Sequence, residues 1–145
     1  MSQMDIEASF PRLPTHGYVI TSPATTEYNC IAWAAQDIDA WWWPDSLQLY
    51  FWPPDIPRVE TLDAFIKAYE SQGYSICHSS DYEAGWEKIA IYIDINGKPT
   101  HAARQLKTGY WTSKLGRLED IEHKSLDSLA GTQYGSVSTI MRRRK

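Results

Sequence analysis

The sequence has no long apolar run, no export-signal pattern in its first ten residues and no metal motif, and its basic residues cluster at one place alone. Residues 1–10 hold Asp5 and Glu7 but neither the basic start nor the apolar stretch of a secretory signal, and no apolar run is long enough to cross a bilayer. A cytoplasmic protein that does not engage membrane is the expectation. Only two cysteines occur, Cys30 and Cys77, and without an export signal both thiols are expected to be reduced. Neither a Cys-x-x-Cys pair nor a His-Glu-x-x-His motif is present, so no metal site is expected. The chain also lacks a Gly-x-Ser-x-Gly elbow and a glycine-rich phosphate loop, which argues against serine-type hydrolysis and nucleotide chemistry. No cofactor is implied. With 14 Lys and Arg against 18 Asp and Glu, the net charge is −4, which disfavours nucleic acid as a partner. The one basic cluster, residues 142–145, reads as a short solvated tail.

What is present fits one folded domain. A length of 145 residues can bury a core without disulfides, and 43% hydrophobic against 22% charged residues is ordinary for a globular domain. Residues 1–145 are read as a single domain whose first 17 residues, rich in proline near Phe10–Pro14, form an extended arm. Thr25 and Thr26 are candidate caps for a buried helix from Glu27 to about Asp37, with Cys30 in its first turn. Proline-broken aromatic residues from Ala40 to Pro57 read as a packed loop. Thr61 caps a second helix, in which Leu62, Phe65, Ile66 and Tyr69 share a face and Gly73 is the stop. From Tyr74 onward the pattern turns to β: strands at 74–77, 88–93, 100–106 and 110–115 make an antiparallel meander, with a helical turn near Ser125–Leu129 and a last edge strand at 137–141. The fold class is α+β.

Two residues in this arrangement suggest chemistry. A thiol at a helix start is favoured as thiolate, because unpaired N–H groups and the helix dipole stabilise the anion. Cys30 has that placement, and His101 lies on a later strand that could hold an imidazole rigidly as its base. An Asn96-Gly97 two-residue turn pairs Ile95 with Lys98, sets His101 beside Tyr92 and puts Ala103 near Ala90. Pairing Leu106 with Tyr110 then puts Trp111, Ser113 and Leu115 on the face of His101. For an oxyanion, the Cys30 N–H is one natural donor and the Asn29 side chain a second.

The strings Tyr28-Asn29-Cys30-Ile31-Ala32-Trp33-Ala34, Trp41-Trp42-Trp43-Pro44, Pro99-Thr100-His101-Ala102-Ala103-Arg104, Trp111 to Gly116 and Glu119 to His123 together resemble a bacterial family of domains of unknown function. Its members look like papain-like, NlpC-type folds. The resemblance runs from about Tyr18 to Arg143 and implies a Cys-bearing N-terminal helix packed on the meander, with a Cys/His pair. Papain-like enzymes usually add a third polar residue after the histidine. Ser113 is the geometric choice here, Glu119 and Asp120 on a following loop are alternatives, and Lys114 could contact only an oxyanion or a substrate carboxylate. The papain pattern also has a glutamine six residues before its cysteine, and Ala24 stands there, so peptidase activity does not carry across.

The expected activity is thioester-forming amide hydrolysis or acyl transfer on Cys30, on a peptide or protein amide. The alternative is a non-catalytic binding module that uses the aromatic loop as its surface. Trp42, Trp43, Trp52 and Trp111 are the candidates for a substrate groove, weighed against simple burial. Cys77 and His123 read as structural. The sequence does not decide oligomeric state.

Overall fold

In the computed structural model, residues 2–145 are described, with side chains from Asp5 onward. The chain forms a mixed α/β domain around a seven-stranded antiparallel sheet. Two short helices, α1 (Ser2–Ser9) and α2 (Leu13–His16), precede β1 (Tyr18–Ser22), α3 (Cys30–Ala34), α4 (Leu62–Glu70) and β2 (Ser75–Cys77). Then come β3 (Trp86–Ile93), β4 (Pro99–Gln105), β5 (Trp111–Lys114), β6 (Asp120–His123), a 3-10 turn at Leu126–Leu129, and β7 (Ser136–Arg144). The strand order is β1-β6-β5-β4-β3-β7-β2. Among the described residues no helix is long and apolar enough to cross a membrane.

The alternation of side chains along the strands gives the sheet two faces with different cores. Ile89, Ile91, Ala102 and Met141 point to one side, where they meet Ile31, Ala34, Phe65, Tyr69, Trp42 and Trp52 from α3, α4 and the aromatic loop. Ala90, Tyr92, Ala103, Trp111, Leu115 and Ile121 point to the other, where Ile6, Phe10 and Leu13 cover them with Leu129. The proline-rich first 17 residues are therefore not an extended arm. They form α1 and α2, because Ile6, Phe10 and Leu13 fall on one side and are buried against the sheet.

Other expectations shift in ways that share one cause, the pairing partners. The 142–145 run is no free tail: β7 reaches Arg144 and lies between β3 and β2. Its arginines are occupied. Arg142 binds Glu83 at 3.0 Å, Arg143 binds Glu87 at 2.9 Å, and Arg142 and Arg144 each lie over the Trp86 ring. Asp120, expected on a loop, instead starts β6, residues 120–123, between β5 and β1. The helix expected from Glu27 is shorter and starts at Cys30, because Asn29 rather than Thr25 or Thr26 caps it by accepting the Ala32 N–H at 3.1 Å. The second helix is capped as expected, by Thr61 on the Ala64 N–H.

The β3–β4 turn closes at Asp94 and Lys98, not at Ile95 and Lys98, since Asp94 N donates to Lys98 O at 2.9 Å. A one-residue irregularity between Tyr92 and Ile93 then restores the register, so His101 still pairs with Tyr92 and Ala103 with Ala90. Leu106 N donates to Tyr110 O at 2.7 Å, which closes the next hairpin as expected.

Candidate active site

The β4–β5 pairing is short, and this shortness builds the site. The two strands pair only at Arg104–Thr112 and Gln105–Trp111 beyond the turn. Because N–H direction alternates along a strand, the Leu106 bond to Tyr110 means that Arg104 and Ala102 also point their N–H groups toward β5. At Ala102 the partner Lys114 is not paired, so that N–H is released from the ladder. It lies near enough to the Cys30 sulfur to favour the anion, as do the N–H groups of Cys30 and Ile31 at the start of α3. The thiol thus lies by the Ala102 amide on the α3 side of the sheet, while the neighbouring His101 ring points to the other side.

On the other face of the sheet lies a chain of hydrogen bonds. His101 Nε2 is 2.9 Å from Ser113 Oγ, Ser113 Oγ is 2.8 Å from His123 Nε2, and His123 Nδ1 is 2.9 Å from the Ser125 carbonyl. All three side chains are fully buried. A carbonyl only accepts, so His123 Nδ1 carries the proton and Nε2 is bare. Ser113 must therefore donate to His123 and accept from His101 Nε2–H. The direction of the chain leaves Nδ1 of a neutral His101 without a proton, and this atom has no hydrogen-bond partner among the described residues. Nδ1 is the ring nitrogen nearer the main chain, whose next amide lies near the Cys30 sulfur.

Burial sets the charge state of these groups. It pushes the Cys30 thiol up to about 11, against the opposing pull of the Ala102, Ile31 and Cys30 N–H groups and of the Lys114 charge. The expectation of a lowered thiol value is overturned here, because α3 has only five residues and desolvation outweighs its N–H groups. Burial also drives His101 well below its ordinary range, with the His123 charge adding to this, and it lowers His123 to about 4. At neutral pH the thiol and both imidazoles are uncharged.

The ring of Tyr134 closes the site from above His101, stacked with centroids 4.1 Å apart and planes 6° from parallel. The loop that carries it is a tight one, in which Gly131 and Gly135 exchange hydrogen bonds of 2.9 and 2.8 Å. Gly135 is obligatory there: with φ at 74° it tolerates no strained side chain, and a Cβ would stand 1.9 Å from the Ile93 carbonyl oxygen.

The remaining candidates take other parts. Asn29 is no oxyanion donor, because its amide is spent on the aromatic loop: Nδ2 donates to the Trp42 carbonyl at 2.7 Å, and Oδ1 accepts from Trp42 N and Ala32 N. Lys114 is buried with its ammonium donating to the carbonyls of Thr25, Gly116 and Leu118, so it braces a loop and reaches no substrate atom. Asp120 accepts from Tyr28 Oη at 2.6 Å on the face opposite His101, too far around the strand to orient that ring. The proposed groove does not form. Trp42, Trp52 and Trp111 are buried, Trp43 packs edge-on against Phe65, and Trp111 lies on the other side of the sheet from the first three. Ser113 occupies the bridging position beside His101.

Two participants escaped the sequence reading. His123 looked structural, yet strict alternation over residues 120–123 places it with Ile121 on the His101 face, and that alternation was visible in the sequence. Tyr134 gave no local signal, because its position depends on the Gly131–Gly135 closure. Among the described residues, no group of three or more His, Cys, Asp and Glu side chains is arranged to hold a metal ion.

Residues 19–142 match the family described as a domain of unknown function (DUF7689), and the chain belongs to that family. No curated protein and no solved structure gives a significant match.

Proposed function

We propose that this chain is a cysteine-dependent amide hydrolase or acyl transferase, of papain-like design, which works from an uncharged resting pair. The observation that carries the reading is the directed chain from the Ser125 carbonyl through His123 and Ser113 to His101, which ends on a bare, buried and unpartnered Nδ1. A buried acceptor left unsatisfied costs about 1–3 kcal/mol, and at the end of a directed chain that cost has a use. The bare nitrogen is a base awaiting a proton.

In the mechanism, His101 Nδ1 takes the Cys30 proton as the sulfur attacks the carbonyl carbon of an amide. The carbonyl π electrons move to oxygen, and the helix-start and Ala102 N–H groups are the available donors for that charge. Collapse expels the amine, which takes the proton from Nδ1, and leaves a thioester on Cys30. Water, deprotonated by the same nitrogen, releases the acid; an amine in place of water gives transfer. Ser113 accepts the Nε2–H bond throughout, and His123 holds Ser113 in that orientation.

The test is the pH dependence of Cys30 alkylation by iodoacetamide in a Cys77→Ala background. With His101 as base, the rate levels off through the neutral range, whereas in His101→Ala it climbs about tenfold per pH unit toward the thiol value of about 11. Superimposable profiles would remove the basis for catalysis. A peptide and amide substrate screen then separates hydrolysis from transfer.

A further inference from the structure

We propose that a cavity at the end of β4, beside the C-terminal end of α3, binds a small organic carboxylate through the guanidinium of Arg104. The cavity has a volume of about 470 Å³, within the range of small-molecule sites, and its walls include Arg104, Lys107, Glu87, Tyr82 and Trp86. Neither Cys30 nor any of His101, Ser113, His123 and Ser125 lines it, so this site stands apart from the thiol chemistry.

Arg104 is held in place without being used. Its guanidinium lies 4.8 Å from the centroid of the Trp33 ring, and Trp33 is itself fixed by a 3.0 Å bond to Thr112 and by stacking on Tyr28. Yet Nε of Arg104 is buried with no acceptor, and no described residue accepts a hydrogen bond from this guanidinium. An arginine fork positioned by stacking and left with free donors matches a planar oxyanion. The only acid in the lining, Glu87, is already engaged by Arg143 at 2.9 Å and by Gln36.

Charge and shape narrow the ligand. Arg104, Lys107 and Lys145 face the single acid Glu87 in the lining, so the guest is an anion, and the flat fork of Arg104 fits a planar carboxylate. Trp86, Tyr82 and Leu106 give the cavity apolar surface, with Arg142 and Arg144 over the Trp86 ring and Lys145 over that of Tyr82. The class is therefore a carboxylate with an apolar or aromatic portion.

The experiment titrates isotope-labelled protein with phenylacetate, phenyl phosphate and the neutral phenylacetamide, and follows the Arg104 Nε–H and Trp86 indole N–H resonances. Phenylacetate is expected to shift both saturably with a dissociation constant of about 1 mM or tighter, and phenylacetamide to leave them in place. Arg104→Gln should weaken phenylacetate at least tenfold, and Lys107→Gln, at an exposed position that leaves the fold alone, by a few fold. Cys30→Ala should bind phenylacetate like the unmodified protein. Equal shifts from phenylacetamide, tighter binding of phenyl phosphate, or no saturable shift would overturn the proposal, as would unchanged binding in both Arg104→Gln and Lys107→Gln.

Discussion

The two faces of the sheet are buried by different chemistry. Toward α3 and α4 the packing is aromatic, with Trp42, Trp52, Phe65 and Tyr69 fully or almost fully buried and Trp43 and Trp52 meeting Phe65 edge-on. Toward α1 and α2 an apolar core surrounds three buried polar side chains, His101, Ser113 and His123, joined in one directed chain. The first face rests mainly on aromatic packing. The second accepts histidines that must stay neutral, and it holds them across the sheet from the thiol. The α3 side buries polar groups too, Lys114 and Asp120 among them, but these are bonded to nearby carbonyls and to Tyr28, whereas the chain on the second face ends on the unpartnered His101 Nδ1.

The contrast can be broken most severely on the aromatic side. Trp42→Ala removes a buried ring that packs at a tilt on Phe51, together with its 2.8 Å Nε1–H bond to Asp37. Urea denaturation should show a loss of about 3–5 kcal/mol that is the same at neutral and mildly acidic pH.

Acid should separate the two faces next. His123 is lowered from 6.5 to about 4 in the folded protein, so below about pH 6.5 the unfolded chain binds a proton that the native state refuses. Stability is therefore complete above that value and falls by ~3 kcal/mol as the pH drops to about 4, with His101 extending the loss further down. Denaturation midpoints across this range check it, and His123→Gln should flatten the slope.

A smaller effect sharpens the polar face. Ser113→Ala leaves His101 Nε2 and His123 Nε2 buried without their shared partner, which should cost about 1–3 kcal/mol in urea unfolding. The same variant should let the His101 ring sample its other tautomer and bring its alkylation profile toward that of His101→Ala.

Much of this was legible in local pattern. The Thr61 cap, the α4 face, the His101–Tyr92 and Ala103–Ala90 pairs and the placement of Ser113 with Trp111 and Leu115 all follow from periodicity and hairpin closure, which are short-range. Features set by long-range partners were not legible. Burial of α1 requires the far face of the sheet, β7 extends to Arg144 because β2 and β3 flank it, and the thiol is desolvated by a core that its neighbours in sequence do not reveal. Asn29 looked like a donor to substrate because its bonds to Trp42 span a loop of unforeseen course.

The central claim is the direction of the hydrogen-bond chain. Long-range proton–nitrogen correlation of the imidazole rings at neutral pH reads it directly. The account predicts two neutral rings of opposite tautomer, His123 protonated on Nδ1 and His101 protonated on Nε2 with a bare Nδ1. A His101 ring protonated on Nδ1, or carrying both protons, would contradict it.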